Sequence, residues 1–158
     1  MKIRRFQDED INQIVNLFYD TVHSVNKKDY TIKQLNVWAP PGEQVTIRER
    51  WRESMHRNIT LVALVGETIV GFSDMTINGH LDRLYIHKDY LKQGIATALV
   101  HNLENEARKL KLAEIDTEAS ITAKPFFERK DYKVIHKQSV ERSGILLTNY
   151  IMIKSLLS

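Results

Sequence analysis

The chain contains no cysteine, and among its 158 residues there are only three prolines and six glycines. Without thiols there is no disulfide, no thiolate nucleophile and no cysteine metal site, a composition that fits a cytoplasmic protein. The histidines, His23, His56, His80, His87, His101 and His136, show no metal-ligand spacing, so no metal is expected. There is no G-x-S-x-G elbow to carry a serine nucleophile. No apolar run approaches the roughly 18–20 residues that span a bilayer, and the N-terminus turns acidic at Asp8 before an apolar signal core can form. Neither membrane insertion nor secretion is expected. No charge of one sign dominates: 23 basic and 20 acidic residues leave +3. The basic residues are dispersed without a basic-aromatic motif, so nucleic acid is not the expected partner.

What is present is ordinary for a globular chain, 42% hydrophobic and 27% charged, enough for one domain over residues 1–158. Residues 2–6 read as a first strand. Asp8-Glu9-Asp10 then opens a helix whose buried stripe is Ile11, Ile14, Val15, Phe18 and Val22. Two capping boxes, Thr31-x-x-Gln34 and Thr46-x-x-Glu49, predict helices over 32–37 and 47–57. The Pro40-Pro41-Gly42 loop separates them. Strands over 60–65 and 68–76 flank Gly66-Glu67, a glycine-first II′ turn, and Asn78-Gly79 predicts a I′ hairpin into a strand over 80–86. Residues 113–118 form a strand parallel to 80–86, because a helical crossover joins the two. A short helix over 122–129 and a hairpin of 132–140 with 145–154 complete the chain. That edge hairpin offers a surface on which a second copy could pair, giving a homodimer.

The stretch 81–108 holds the chemistry. Its strand is apolar at most positions, as if buried on much of both faces. Ala96, Leu99, Val100, Leu103, Ala107 and Leu110 then form the apolar stripe of a helix, with Glu104 and Arg108 paired on its wet side. The first turn of a helix has unpaired N–H groups and a positive dipole end, which suits phosphate. Gly94 and Ala96 let a ligand approach that backbone, and Lys92 adds charge. Lys88, Lys124, Arg129 and Lys130 gather around the same two segments in sequence.

The run Gln93-Gly94-Ile95-Ala96-Thr97 resembles the coenzyme-binding segment of the GCN5-related N-acetyltransferases, Q/R-x-x-G-x-G/A. Downstream, Ala123-Lys124-Pro125-Phe126-Phe127-Glu128-Arg129-Lys130-Asp131-Tyr132 resembles the same family's A-x-x-F-Y-E-K-x-G-F helix. The two landmarks stand in the family's order and separation, and the resemblance extends over nearly the whole chain. It implies an α/β fold: a mixed, mostly antiparallel seven-stranded sheet flanked by helices, with a splayed parallel central pair. It also implies acetyl transfer from acetyl-CoA to a primary amine, of a small molecule or of a protein, by direct attack. A non-catalytic acyl-CoA-binding sensor is the rival reading.

On that resemblance the cosubstrate would be held by Leu84, Tyr85, Ile86, Lys92, Gln93, Gly94, Ile95, Ala96, Thr97, Ser120, Lys124 and Phe127. Its pantetheine arm would add like a strand to the backbone of residues 84–86, and a backbone N–H of the same strand would face the developing oxyanion. The amine must lose a proton before it can attack. Asp82 is the first choice of base, followed by His80 and Glu118; His80 and Asp82 share a face of a regular strand. Trp38, Tyr30 and Asp82 are the candidate substrate contacts, from the family's most variable region. Two positions depart from the pattern. Leu91 replaces the leading Gln or Arg, and Phe127 stands where the family has a general-acid Tyr. Ser120, Tyr85, Tyr132 or water would then protonate the leaving thiolate.

Overall fold

A computed structural model describes residues 1–157. The elements are β1 (Lys2–Arg5), α1 (Ile11–Ser24), α2 (Ile32–Trp38), α3 (Gln44–Arg57), β2 (Ile59–Val65), β3 (Thr68–Met75), β4 (His80–Ile86), α4 (Ile95–Lys109), β5 (Glu114–Ser120), α5 (Lys124–Arg129), β6 (Lys133–Arg142) and β7 (Ile145–Ser155). One seven-stranded sheet runs in the order β1-β2-β3-β4-β5-β7-β6. Every pairing is antiparallel except β4 with β5. The α/β class and the mostly antiparallel seven-stranded sheet with one parallel pair, both expected from the resemblance, are present.

Alternation along the strands feeds two cores. Val62, Leu64, Ile69 and Phe72 pack with α1, α2 and α3 on one face of the sheet. Ala63, Val70, Met75, Leu81, Ile115 and Met152 pack with α4 and α5 on the other. The stripe of α1 is buried as its spacing requires. Trp51 also packs against the first core, where its ring lies 4.6 Å from that of Phe18.

The parallel pair defines the site. It holds for two positions only, His80↔Asp116 and Leu81↔Thr117, before the strands diverge. The Thr117 hydroxyl donates to Leu81 O at 2.8 Å at the point of divergence. On its far edge β5 is paired to β7 at every residue from Glu114 to Ser120. Past Leu81↔Thr117 the two facing edges are unpaired, β4 from Asp82 onward and β5 from Glu118 onward. This corrects the reading of 81–86 as a strand buried on both faces. Leu81 alone is buried, and Leu84, Tyr85 and Ile86 are half-covered because no strand lies beside them.

Four local expectations change. Asn78-Gly79 is not a I′ turn: Gly79 has φ +94° while Asn78 stays at negative φ, and Gly79 N–H donates to Thr76 O at 3.0 Å. The loop is a type I turn followed by a glycine bulge. A Cβ at Gly79 would also meet Glu114 O at 2.9 Å. Gly79→Ala therefore meets both backbone strain and a backbone clash, and a loss of about 2–3 kcal/mol is expected in urea unfolding. The Thr46-x-x-Glu49 box is not a cap, because the turn after Pro40 starts α3 at Gln44 with Glu43 at the N-cap. The other box is made, with Gln34 N–H donating to Thr31 Oγ1 at 3.2 Å. Leu110 lies just past the end of α4 and is 47% exposed; Ile95 takes its place in the stripe.

The fourth change is the largest. Glu104 does not pair with Arg108 in water. It is 5% exposed, and it accepts from the Tyr132 hydroxyl at 2.8 Å and from Lys154 Nζ at 3.0 and 3.1 Å.

Candidate active site

A cleft of about 1190 Å³ opens where β4 and β5 part. Its floor at one end is the start of α4. The 3-10 turn Lys88–Tyr90 and a left-handed Lys92 (φ 59°) bring the chain to Gly94, the N-cap, at φ 81°. That conformation favours glycine. A Cβ at Gly94 would meet no protein atom within 4 Å, so the space over this backbone is open. The first intrahelical bond runs from Ala98 N–H to Gly94 O at 3.0 Å. The N–H groups of Ile95, Ala96 and Thr97 precede it and have no helical acceptor. Lys92, Arg129 and Lys130 line the same end of the cleft, giving an electropositive cradle that fits a diphosphate. Lys124 stands apart, 3.4 Å from Glu128 and 5.1 Å above the Tyr150 ring. Leu91 is 39% exposed, so the family's polar position presents an apolar side chain here.

The middle of the cleft is bounded by the free edge of β4. The Thr21 hydroxyl from α1 already donates to Ile86 O at 2.9 Å. Ser120 faces this edge from β5, and its Oγ accepts from Ala123 N–H at 3.0 Å, leaving the hydroxyl proton to donate elsewhere. Phe127 touches the cleft but is 2% exposed, its ring 5.0 Å from Tyr132 and 5.2 Å from Phe126. Tyr132 lies outside the cleft with its hydroxyl given to Glu104, and burial, with Glu104 beside it, pushes the phenol far above its usual range. It is not placed to serve as the substitute acid. The Tyr85 hydroxyl does reach the cleft, accepting from Trp38 Nε1 at 3.1 Å, and burial raises it as well.

At the other end α2 and the β6–β7 turn close over the cleft, where Trp38, Tyr30, Arg142 and Ser143 contribute to the wall. Tyr30 is 8% exposed. Its hydroxyl donates to Thr148 O at 2.7 Å and accepts from Ile121 N–H at 2.9 Å, so it ties the wall together. Burial raises that phenol too.

Two of the three candidate bases, His80 and Asp82, meet at the point of splay. β4 is bulged there: Asp74 pairs with Arg83 and Met75 with Leu81, which leaves Asp82 without a partner on β3. The strand is thus irregular where His80 and Asp82 were expected to share a face, yet His80 Nε2 and Asp82 Oδ1 come within 3.9 Å. Glu118 lines the opposite wall from β5 and is exposed.

Sequence reasoning missed two partners here. His80 Nδ1 is hydrogen-bonded to Asp116. Arg83, 3.6 Å from Asp82 Oδ2, is held from behind by the buried Asp74 at 2.5 Å and lies 4.6 Å over the Trp51 ring. Burial pushes the Asp74 carboxyl up, against the pull of Arg83 and the Asn58 amide. Both partners sit across a strand pair, and no spacing within one strand reveals them.

Among the described residues no cluster of three or more His, Asp or Glu is arranged to hold a metal, and no helix is long and apolar enough to cross a membrane.

Residues 26–154 match the family model for an acetyltransferase (GNAT) domain. The chain is 32% identical to an uncharacterized N-acetyltransferase, YafP, of Escherichia coli (strain K12), over 96% of its own length and 94% of the relative's. Among solved structures it is similar to the GCN5-related N-acetyltransferase (aminotransferase, class-II) from Rhodopseudomonas palustris. That chain is 26% identical with a TM-score of 0.91, over 98% of this chain and 94% of the other. The PaiA N-acetyltransferase of Thermoplasma acidophilum, in complex with coenzyme A, shares the fold at 19% identity and a TM-score of 0.79, over 98% of both chains.

Proposed function

The chain belongs to the GCN5-related N-acetyltransferase (GNAT) family, and from that premise we propose that it moves an acetyl group from acetyl-CoA to a primary amine by direct attack. The observation that carries this reading is the abrupt end of the β4–β5 pairing after Leu81↔Thr117, with the uncapped start of α4 at the open end. The coenzyme A bound to the Thermoplasma relative supports the same ligand here.

In this reading Gly94 and the N–H groups of Ile95, Ala96 and Thr97 hold the diphosphate, with Lys92 and Gln93 beside them. Lys124 has no direct part, and Arg129 at the end of α5 and Lys130 just beyond it supply the charge. Leu84, Tyr85 and Ile86 offer backbone groups along the free edge of β4 to the amide-rich arm. The cosubstrate supplies an activated thioester carbonyl. The protein's own work is to aim it, to exclude water and to accept the amine's proton at the splay, where His80 and Asp82 converge and Glu118 lines the facing wall. Trp38 and Tyr30 bound the acceptor.

Ser120 is the donor we assign to the departing sulfur, with Tyr85 as the second hydroxyl within the cleft. A thiol with pKa about 8.5 leaves passably without help. Ser120→Ala should therefore lower kcat only about tenfold, below the ~10²–10⁴-fold typical of general acid catalysis, at unchanged coenzyme affinity.

The test is a calorimetric titration with coenzyme A followed by a thiol-release screen of amines with acetyl-CoA. Heat of binding together with thiol release from at least one amine is the expected result. Binding without release from any amine would favour the non-catalytic sensor, and no heat would remove both.

A further inference from the structure

The parallel register does more than open the cleft. It sets His80 and Asp116 directly across from each other, at the first of its two paired positions. Their side chains are hydrogen-bonded through Nδ1, while Nε2 points toward Asp82 at 3.9 Å. His80 and Asp82 line the cleft, whereas Asp116 stands behind His80, outside its wall.

An ionised carboxylate can only accept, so the proton in the Asp116 contact belongs to Nδ1. The neutral ring then has its lone pair on Nε2, the atom facing the acceptor space. We propose that His80 is the base and that Asp116 is its positioning residue, a cross-strand pair that fixes the imidazole in the tautomer able to take the amine's proton. This rests on the acetyl-transfer reading above and makes Asp82, the first choice on sequence grounds, the counter-charge of the incoming ammonium.

The distances fit that division of labour. One ammonium nitrogen at about 2.8–3.0 Å from each can donate to both Nε2 and Asp82 Oδ1 across a gap of 3.9 Å. The proton nearer the ring passes to Nε2 and leaves an uncharged amine with a free lone pair. The imidazolium, held by Asp116, carries the proton until it returns to solvent. An imidazole does this near neutral pH, where an ordinary carboxylate is too weak a base. Asp116 and His80 are both half-exposed, so their contact adds little to stability. Its effect is orientation, as for the carboxylate behind a catalytic histidine in hydrolases.

The decisive measurement is the ¹⁵N NMR spectrum of the histidine rings at alkaline pH, in wild type, Asp116→Asn and Asp116→Ala. Wild-type His80 should carry its hydrogen on Nδ1, and Asp116→Ala should revert to the Nε2–H form that unconstrained histidines favour. In the thiol-release assay His80→Gln should lose about 10²–10⁴-fold in kcat, and Asp116→Ala about 10–100-fold in kcat/KM for the amine. The coenzyme A Kd should stay at its wild-type value in both. An Nε2–H ring in the wild type, or wild-type rates in Asp116→Ala, would overturn the assignment. If the wild type binds coenzyme A but releases no thiol with any amine, the acetyl-transfer reading fails, while the tautomer still decides whether Asp116 sets the ring.

Discussion

Gly94→Asp is expected to weaken coenzyme A binding at least 100-fold while leaving the protein folded. The residue is the N-cap of α4 at φ 81°, a left-handed conformation that Asp tolerates better than most side chains. Nothing in the protein lies within 4 Å of the position its Cβ would take, so the side chain meets no clash. An acid at a helix N-terminus is also favourable for the helix itself. The backbone cost, about 1–2 kcal/mol, is therefore partly offset, and circular dichroism should show the melting temperature lowered by only a few degrees. The coenzyme has no such compensation. The carboxylate occupies the open space over the bare N–H groups and repels the diphosphate. A 100-fold loss corresponds to about 2.7 kcal/mol, modest for one charge set against two phosphates. Near-native calorimetric affinity in this variant would place the phosphates elsewhere.

Glu104→Leu should be strongly destabilising although it removes no apolar contact of the core. It removes the acceptor of two groups at once, the Tyr132 hydroxyl and the Lys154 ammonium, the latter with a side chain only 18% exposed. Breaking a buried ion pair by deleting one member costs ~3–5 kcal/mol, because the other charge stays behind. Lys154 keeps some access to water, so about 3 kcal/mol is expected, or a melting temperature lower by roughly 10 °C. The sign of the repair is the sharper test. Replacing a whole buried pair by apolar residues is often neutral. Glu104→Leu with Lys154→Met should regain most of the loss, and adding Tyr132→Phe should regain more. If the multiple variants melt no higher than the single one, the cost lies in packing around α4 and not in the stranded charge.

Glu104 also marks where sequence reasoning reaches its limit. Its spacing to Arg108 is that of a solvated helical pair, and the pattern of α4 alone cannot reveal that Lys154 arrives from a strand 50 residues later. The same holds at the candidate site. Gly94, the free start of α4 and the parallel sense of β4 and β5 could be read directly, because a local motif or an obligatory crossover encodes each. The element order followed from periodicity and turn residues. The Asp116–His80 contact could not be read, since it depends on the register between two strands, and the 27 residues between Ile86 and Glu114 leave that register open. Nor could the bulge at Asp82: strand periodicity assumes regular alternation, and one extra residue in β4 defeats it. The Asn78-Gly79 turn failed for a related reason. Glycine carries the left-handed conformation, and Asn78, which a I′ turn would also require at positive φ, stays on the ordinary side.

β5 is clamped along its whole length by β7, from Glu114↔Ser155 to Ser120↔Asn149. It cannot swing over to meet β4 when nothing stands between them, and Tyr30, bonded to both Ile121 and Thr148, braces its far end. The sheet is therefore wedged apart by its own architecture before any visitor arrives. Docking need not prise hydrogen bonds from a closed ladder or order a loop, so little of the binding energy goes into remodelling the host. Most of it stays available, on the proposed function, for holding a thioester still beside an amine.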